Sequence, residues 1–415
     1  MRLGRLFLAI GLFTGGNAVF GQEFMYVFED TINEDNILEI QSFNYYTSNR
    51  MSNDFMDKFL FGGEITPEIK DRTYGRFGNY NAAGGEAEQS ITNYVPSIAP
   101  MGREKYGMML RFSDNHFLSA NIPTGIFEYG MYGNANYTGQ TKELTLAHLQ
   151  YQHYQKMSVG FFDKKTMSNV TIGYVAGSKG MNARLGPSSM TTTAAGDSVN
   201  LDVSGVGFLT DRFFPYAAFL GSGFAIDMNL NFLFYSKQGV RQIVNLKINN
   251  LGMIFWNRNT RSYEVEDSLS YTGFEFNQLI NNEYNFEDFS IADTVNYREE
   301  IGRVSDPLPV EIVVQKLADR GSPNKLQAIF GFKAILTADY FPYLFAGAYY
   351  QPTPNFSGSM RLSYGGFGGL QFGMRANYWI KDKMSLSLGT HNFLGMTVKN
   401  IGMGRSLNIS ARFKL

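Results

Sequence analysis

Four histidines and no cysteine make up the imidazole and thiol stock of this 415-residue chain. They are His116, His148, His153 and His391. No His-Glu-x-x-His pair, cysteine set or Asp-x-Asp-x-Asp-Gly loop accompanies them, so the familiar zinc and calcium signatures are missing. His148 and His153 lie five residues apart, which on one regular strand points them to opposite faces. Serines are plentiful enough for a Ser-His-Asp trio, but no spacing positions one. Gly365 to Gly369 lacks the dinucleotide fingerprint and sits between strands. Gly177-Ser178-Lys179 resembles the end of a phosphate loop, yet Gly173 stands one residue too close. Both stretches read as turns. The expectation is a non-enzyme with no catalytic residues, cofactor or metal.

The charged residues carry more. Arg111, Arg361 and Arg375 each occupy the polar face of an alternating segment, as does Asp227. A charge on the lipid side of a membrane strand costs about 2–4 kcal/mol at mid-bilayer, so these four are expected to line a lumen. There they either fill a closed barrel with ion pairs or border an anion-tolerant passage. Trp256, Tyr343, Phe345, Tyr349 and Tyr378 are expected in the aromatic girdles at the membrane interfaces.

Such placement needs strands, and the strand signal is strongest at the end of the chain. Phe356, Gly358, Met360, Leu362 and Tyr364 alternate with Ser357, Ser359, Arg361 and Ser363. Phe372, Met374, Ala376, Tyr378 and Ile380 alternate with Gln371, Gly373, Arg375, Asn377 and Trp379. Period two gives each set its own face of a sheet, and many such segments in series are the signature of a transmembrane barrel. Clean alternation also covers 224–235, while 113–115 reads as a turn and 73–100 as a loop. Segments near 144–153, 156–162 and 198–208 also read as strands. The fold class is therefore all-β, an antiparallel transmembrane β-barrel of about 14 strands within a range of 12–16.

Domain organisation follows. Arg2, Arg5, the apolar run Leu6 to Phe13, and Val19 and Gly21 before Gln22 match a secretory signal peptide over residues 1–21. Residues 22–415 form one barrel domain. A helical rim or lumen segment is expected over 52–72, capped by Ser52 or Asn53 and stopped at Gly62. Counting back from Leu415 puts the short turns on the periplasmic side and the long segment 257–307 outside. From Arg261 to Glu300 that segment carries ten carboxylates against two arginines. It reads as a solvated loop or a docking surface for a cationic partner. The net charge of −1 gives no reason to expect nucleic acid.

Three stretches carry a family resemblance. Leu246 to Asn259 is similar to a strand motif of Bacteroidota outer-membrane barrels of unknown function. Asp306-Pro307-Leu308-Pro309 resembles the lead-in of that group and of FadL-like and PorV-like barrels. Thr390 to Gly395 resembles their penultimate-strand ending. The usual Asn-Pro-Ala start of FadL-like relatives is missing, which argues against a hatch of that type. The resemblance implies a Gram-negative outer-membrane location but no ligand. Expected partners are membrane lipid and lipopolysaccharide, the barrel-assembly machinery and an envelope protein. The leading expectation is transport of a small hydrophobic or amphipathic solute. The alternative is a docking or scaffold barrel in envelope assembly or type IX secretion, and a barrel hydrolase comes third. A hydrophobic lumenal pocket with a lateral opening would favour transport; a lumen plugged by side chains beneath an ordered outer loop would favour docking.

Overall fold

Segregated side chains leave each strand one face to bury, and closing the sheet on itself buries all of those faces at once. The computed structural model describes residues 27–28, 35–210, 219–237, 239–271, 296–322, 324–381, 383–398 and 402–415. In it, fourteen antiparallel strands form a closed ring. They are β1 (Ile37–Ser48), β2 (Ala82–Val95), β3 (Tyr106–Asn121), β4 (His148–Asp163), β5 (Asn169–Leu185), β6 (Gly221–Tyr235) and β7 (Arg241–Trp256). The ring continues with β8 (Glu311–Asp319), β9 (Leu326–Ile335), β10 (Phe341–Thr353), β11 (Phe356–Gly366), β12 (Gln371–Ile380), β13 (Met384–Thr390) and β14 (Gly404–Lys414). β14 returns to β1 in a register running from Lys414 opposite Ile37 to Gly404 opposite Thr47. Closure satisfies the backbone groups that an open wall would leave unpaired.

The expected strand number matches, but the segments behind it differ. β3 runs straight through Ser113-Asp114-Asn115, where a turn was expected, in unbroken register with β2 and β4. The stretches 144–153 and 156–162 are one strand, β4. β2 lies inside the expected loop 73–100. The segment 198–208 is a strand, but it stands outside the ring.

The first and last ring residues, Ile37 and Lys414, share the end where connections are short. The opposite end carries the long connections, the helices α1 (Asn53–Phe61), α2 (Pro67–Tyr74) and α3 (Thr124–Tyr132), and a single helical turn at Phe393–Thr397. The helical segment expected over 52–72 is thus two helices. Ser52 stands at the first N-cap, and Gly62, at φ 91°, takes a positive-φ conformation that favours glycine where α1 ends. Met51, Phe55, Met56, Leu60 and Ile69 pack with Ala83 of β2 and Phe127 of α3, so the helices cap the mouth instead of floating above it.

A further sheet rises from that end. Its strands Thr141–Glu143, Ser189–Thr192, Val199–Leu209, Thr260–Tyr271 and Tyr297–Gly302 pair in that order. It joins the ring where Gly205 to Leu209 pair with the top of β5. The segment 257–307 is therefore partly sheet instead of loop. Its centre, 272–295, and the expected signal peptide over 1–21 lie outside the described residues.

Candidate functional site

The lumen is the candidate site, because the inward faces of the strands bring the charges of the chain together there. Glu86 and Glu88 alternate along β2, Lys247 lies on β7, Glu311 on β8 and Lys333 on β9. Lys333 Nζ is 3.0 Å from Glu86 Oε1 and 2.7 Å from Glu311 Oε2. Lys247 Nζ is 3.0 Å from the other oxygen of Glu311. The chain Glu86–Lys333–Glu311–Lys247 thus crosses from one side of the ring to the other. Beside it Arg111 pairs with Glu88, and Lys156 Nζ approaches Asp227 Oδ1 to 2.8 Å. Burial of single ions costs several kcal/mol each, so this set is stable only as an interlocked whole.

The four lumenal candidates fall at different points of this interior. Arg111 and Asp227 are buried in it, and each feels the charge of the other. Their direct partners, Glu88 and Lys156, were not singled out from the sequence. Arg361 is buried with its guanidinium 5.8 Å from the Tyr343 ring centre and 5.5 Å from that of Phe345. Arg375 bonds Asn377 Oδ1 at 3.2 Å and Ser410 Oγ at 3.4 Å, bordering a cavity of about 90 Å³ near the short-connection end. A second cavity, of about 40 Å³, lies near Glu88 and Glu311. Each has room for a few waters at most and falls far short of the several hundred Å³ of an ordinary ligand pocket.

Four of the five expected girdle aromatics are inside the barrel. Tyr378 is on the outer face, half exposed, but Trp256, Tyr343, Phe345 and Tyr349 are buried in the interior. For Trp256 the cause is a β-bulge. Ile226 faces Leu251 while Met228 faces Ile248, so Asn249 and Asn250 together oppose Asp227. Asn250, at φ 60°, takes up the extra residue, and the strand changes phase. Asn245 and Lys247 face inward before the bulge, Ile254 and Trp256 after it. The indole then lies against Gly177, Gly180 and Gly221, where an added Cβ would come within 2.5, 2.4 and 2.7 Å of the ring. On β10 both parities are apolar, and packing decides. Gly331, whose Cβ would meet the Phe345 ring at 2.7 Å, leaves room for that ring inside.

The mouth carries its own polar cluster. Ser119, His148 and Asp339 do come together, but as no hydrolytic triad. Ser119 Oγ donates to Asp339 Oδ2 at 2.7 Å, and His148 Nδ1 bonds that same oxygen. The carboxylate stands between hydroxyl and imidazole, so the serine has no base on it. Nearby, Gln152 Nε2 donates to Asp306 Oδ2 at 2.6 Å and Trp256 Nε1 at 3.4 Å. Burial pushes the Asp306 carboxyl up to about 6, and these two neutral donors only partly oppose it. Phe367, carried by the glycine turn after β11, inserts against Gly84 and packs with Phe43, Phe117 and Ile335.

Outside, the ring shows an apolar belt. Phe112, Met157, Phe224, Leu344, Met360 and Leu388 are all exposed on it. No helix among the described residues is long and apolar enough to cross a membrane.

Several solved structures are similar at low identity. A TodX deltaS2S3 mutant described as a monoaromatic hydrocarbon channel is 7% identical, with a TM-score of 0.43 over 92% of this chain and 90% of that one. The P. putida toluene transporter TodX is 8% identical at a TM-score of 0.38, over 92% and 91% of the two chains. A Pseudomonas aeruginosa FadL homologue is 11% identical at 0.35, over 92% and 90%. No curated protein matches the sequence. A family model matches residues 36–382, and the chain belongs to that family, DUF5723, a family of unknown function.

Proposed function

We propose that the protein is a closed outer-membrane barrel that serves as a non-catalytic docking unit in the cell envelope. The observation that carries this is the ion-pair chain that crosses the lumen, among the described residues, beneath an ordered sheet. The ion-pair chain from Glu86 to Lys247 occupies the bore, and the helices close the mouth. The sheet above exposes one face and leaves the other half-buried. Glu264, Glu266 and Asp202 are exposed on one, and Ile301, exposed, lies with half-buried Leu201, Val203 and Val265 on the other. The apolar belt supports membrane residence, and the parity of short and long connections supports placing the sheet outside. Its carboxylates suit an envelope protein that offers a basic surface.

Reconstitution tests this. The purified barrel in planar bilayers should show no steady conductance, and vesicles containing it should exclude small solutes like empty ones. Site-specific photo-crosslinks from Val206 should reach one defined envelope protein and vanish in the E264K/E266K variant. A steady open conductance would sink the proposal.

One feature favours transport as a second reading. An apolar groove of about 630 Å³ runs along the outer wall between β7 and β11. Phe330, Leu344, Leu362 and Tyr364 line it, with Gly331 and Phe345 at its floor. Facilitated uptake of an apolar solute into barrel-containing vesicles, abolished by Ala346→Trp in the groove lining, would support this reading over docking.

A further inference from the structure

Above the apolar belt, the outer faces of β3 and β4 turn polar at one place. On β3 the outward residues read Leu110, Phe112, Asp114, His116; on β4 they read Val159, Met157, Gln155, His153. Leu110, Phe112, Met157 and Val159 are exposed, which fixes the direction of this parity, while Arg111 and Lys156 between them are buried in the lumen. His116 and His153 stand directly opposite each other in the ladder. Their rings stack with centres 4.0 Å apart and 8° between planes.

Both imidazoles present Nε2 to the same carboxylate. His153 Nε2 is 2.9 Å from Asp114 Oδ1, and His116 Nε2 is 3.4 Å from Asp114 Oδ2. The three ligand atoms all lie within 4.8 Å of one another. Donors around a tetrahedral ion at 2.0–2.1 Å stand about 3.3 Å apart, so sub-ångström side-chain shifts complete the geometry. A second layer orients the first. The Tyr151 hydroxyl lies 3.0 Å from His116 Nδ1, leaving Nε2 as the atom turned to the site. Gln155 Nε2 donates to Asp114 Oδ1 at 2.6 Å and lies 2.9 Å from His153 Nε2, so this amide must swing aside when an ion takes its place, while Ser178 Oγ donates to the Gln155 carbonyl at 2.8 Å. Such backing of both imidazole and carboxylate is what metal ligands ordinarily have.

We infer that Asp114, His116 and His153 bind a divalent transition-metal ion, Zn²⁺ or a close neighbour in the series, on the outer wall across β3 and β4. Two imidazoles and one carboxylate suit Zn²⁺, Ni²⁺ or Cu²⁺ and are a poor set for Ca²⁺ or Mg²⁺, which take oxygen ligands. Asp114 and His153 are buried and His116 is half-buried, so the ion would be held within the wall. The ion braces two wall strands where the apolar belt ends. The site stands whether the barrel docks or transports.

The test uses the full-length, untagged barrel in detergent, stripped with chelator. Titration with Co²⁺ should give saturable visible absorption at one equivalent, and Zn²⁺ should displace it. The H116A/H153A variant, shown folded by heat-modifiable gel migration, should lose this binding by at least about 100-fold, and Tyr151→Phe should weaken it about tenfold. If the double variant does not fold, Asp114→Asn, close in shape, takes its place and should weaken binding. The inference is overturned by an absence of saturable Co²⁺ or Zn²⁺ binding in the wild type. Undiminished binding in H116A/H153A or in Asp114→Asn overturns it as well.

Discussion

The late strands and the early strands of this wall present different outer faces to the same surroundings. From β9 to β14 the outward residues are apolar nearly throughout: Phe330, Leu344, Met360, Leu362, Tyr378 and Leu388. From β3 to β5 the apolar run of Phe112, Met157 and Tyr174 stops, and Asp114, His116, Gln155 and His153 follow. Strand length accounts for the difference. A tilted strand crosses the hydrocarbon layer in about 9–11 residues. β9, β11, β12 and β14 have 10, 11, 10 and 11 residues, whereas β3, β4 and β5 have 16, 16 and 17. The surplus continues above the layer, where an outward side chain no longer has to be apolar.

The largest test of this comparison inserts one alanine after Gly252. Added beyond the bulge, one residue shifts the upper half of β7 by one position and reverses its parity. Trp256 then points outward, away from the three glycines shaped for it. The insertion should abolish the folded, heat-modifiable species. Deleting Asn250 removes the bulge but leaves Trp256 opposite Gly221, because Asn249 alone then faces Asp227. That variant should still fold, as should Asn250→Gly, which tolerates the same φ. Folding of the insertion variant would show that the indole cradle does not set the phase.

The ion chain comes next. Lys333→Ala leaves Glu86 and Glu311 in the lumen without their shared cation, and breaking a buried pair in this way costs about 3–5 kcal/mol. Urea unfolding of the reconstituted barrel should register a loss of that order. Replacing Ser359, an inward residue of the late half, with Ala should cost less than about 1 kcal/mol, because only a neutral hydroxyl is removed.

The same contrast decides what was legible in the sequence. β11, β12 and β14 are plain because apolar and polar sets never mix over the length that spans. β2 reads as loop because its outward positions Gly85, Ala87 and Gln89 are small or polar, and its inward ones include Glu86 and Glu88. It has no apolar set to count, and only its cations on other strands, Lys333 and Arg111, explain it. Ser113-Asp114-Asn115 has the composition of a turn, but β3 crosses there from apolar to polar surroundings. Trp256 was misplaced because a parity rule carries no information about a bulge. Tyr343 and Phe345 lie inside because aromatic residues also serve as packing around a buried guanidinium, as they do at Arg361, and Tyr349 lies inside in an apolar cluster with Ile329 and Trp379. The lumenal side of Arg111 and Asp227 could be read from local alternation; their partners could not, because they lie 23 and 71 residues away.

Arginine scanning sharpens the boundary between the two zones. Met157→Arg puts a charge in the belt and should destabilise the barrel by about 2–4 kcal/mol, whereas Gln155→Arg, two residues higher, should cost about 0–1 kcal/mol. Equal penalties at the two positions would move the edge of the apolar layer above Asp114 and break the length explanation.

Two carboxylates at the mouth give the finest comparison. Burial pushes Asp339 up, but hydrogen bonds from His148, Tyr80 and Ser119 outweigh it and hold this carboxyl below its ordinary range. Burial also pushes Asp306 up, and Gln152 and Trp256 leave it at about 6. A raised acid takes its proton in the folded state before the unfolded chain does. Folding is therefore favoured as pH falls from above 6 toward the ordinary carboxylate value near 4, by about 1.4 kcal/mol per pH unit at most for this one group. Asp339 works the other way, contributing stability above its unfolded value that is lost only in stronger acid. The difference in unfolding free energy between Asp306→Asn and the wild type should thus be largest at pH 7.5, in favour of the variant, and shrink toward pH 5. The amide keeps both hydrogen bonds through its carbonyl and removes the buried charge. A difference independent of pH would mean that Asp306 is solvated at the mouth, and the helices would then cover less of the lumen than their packing indicates.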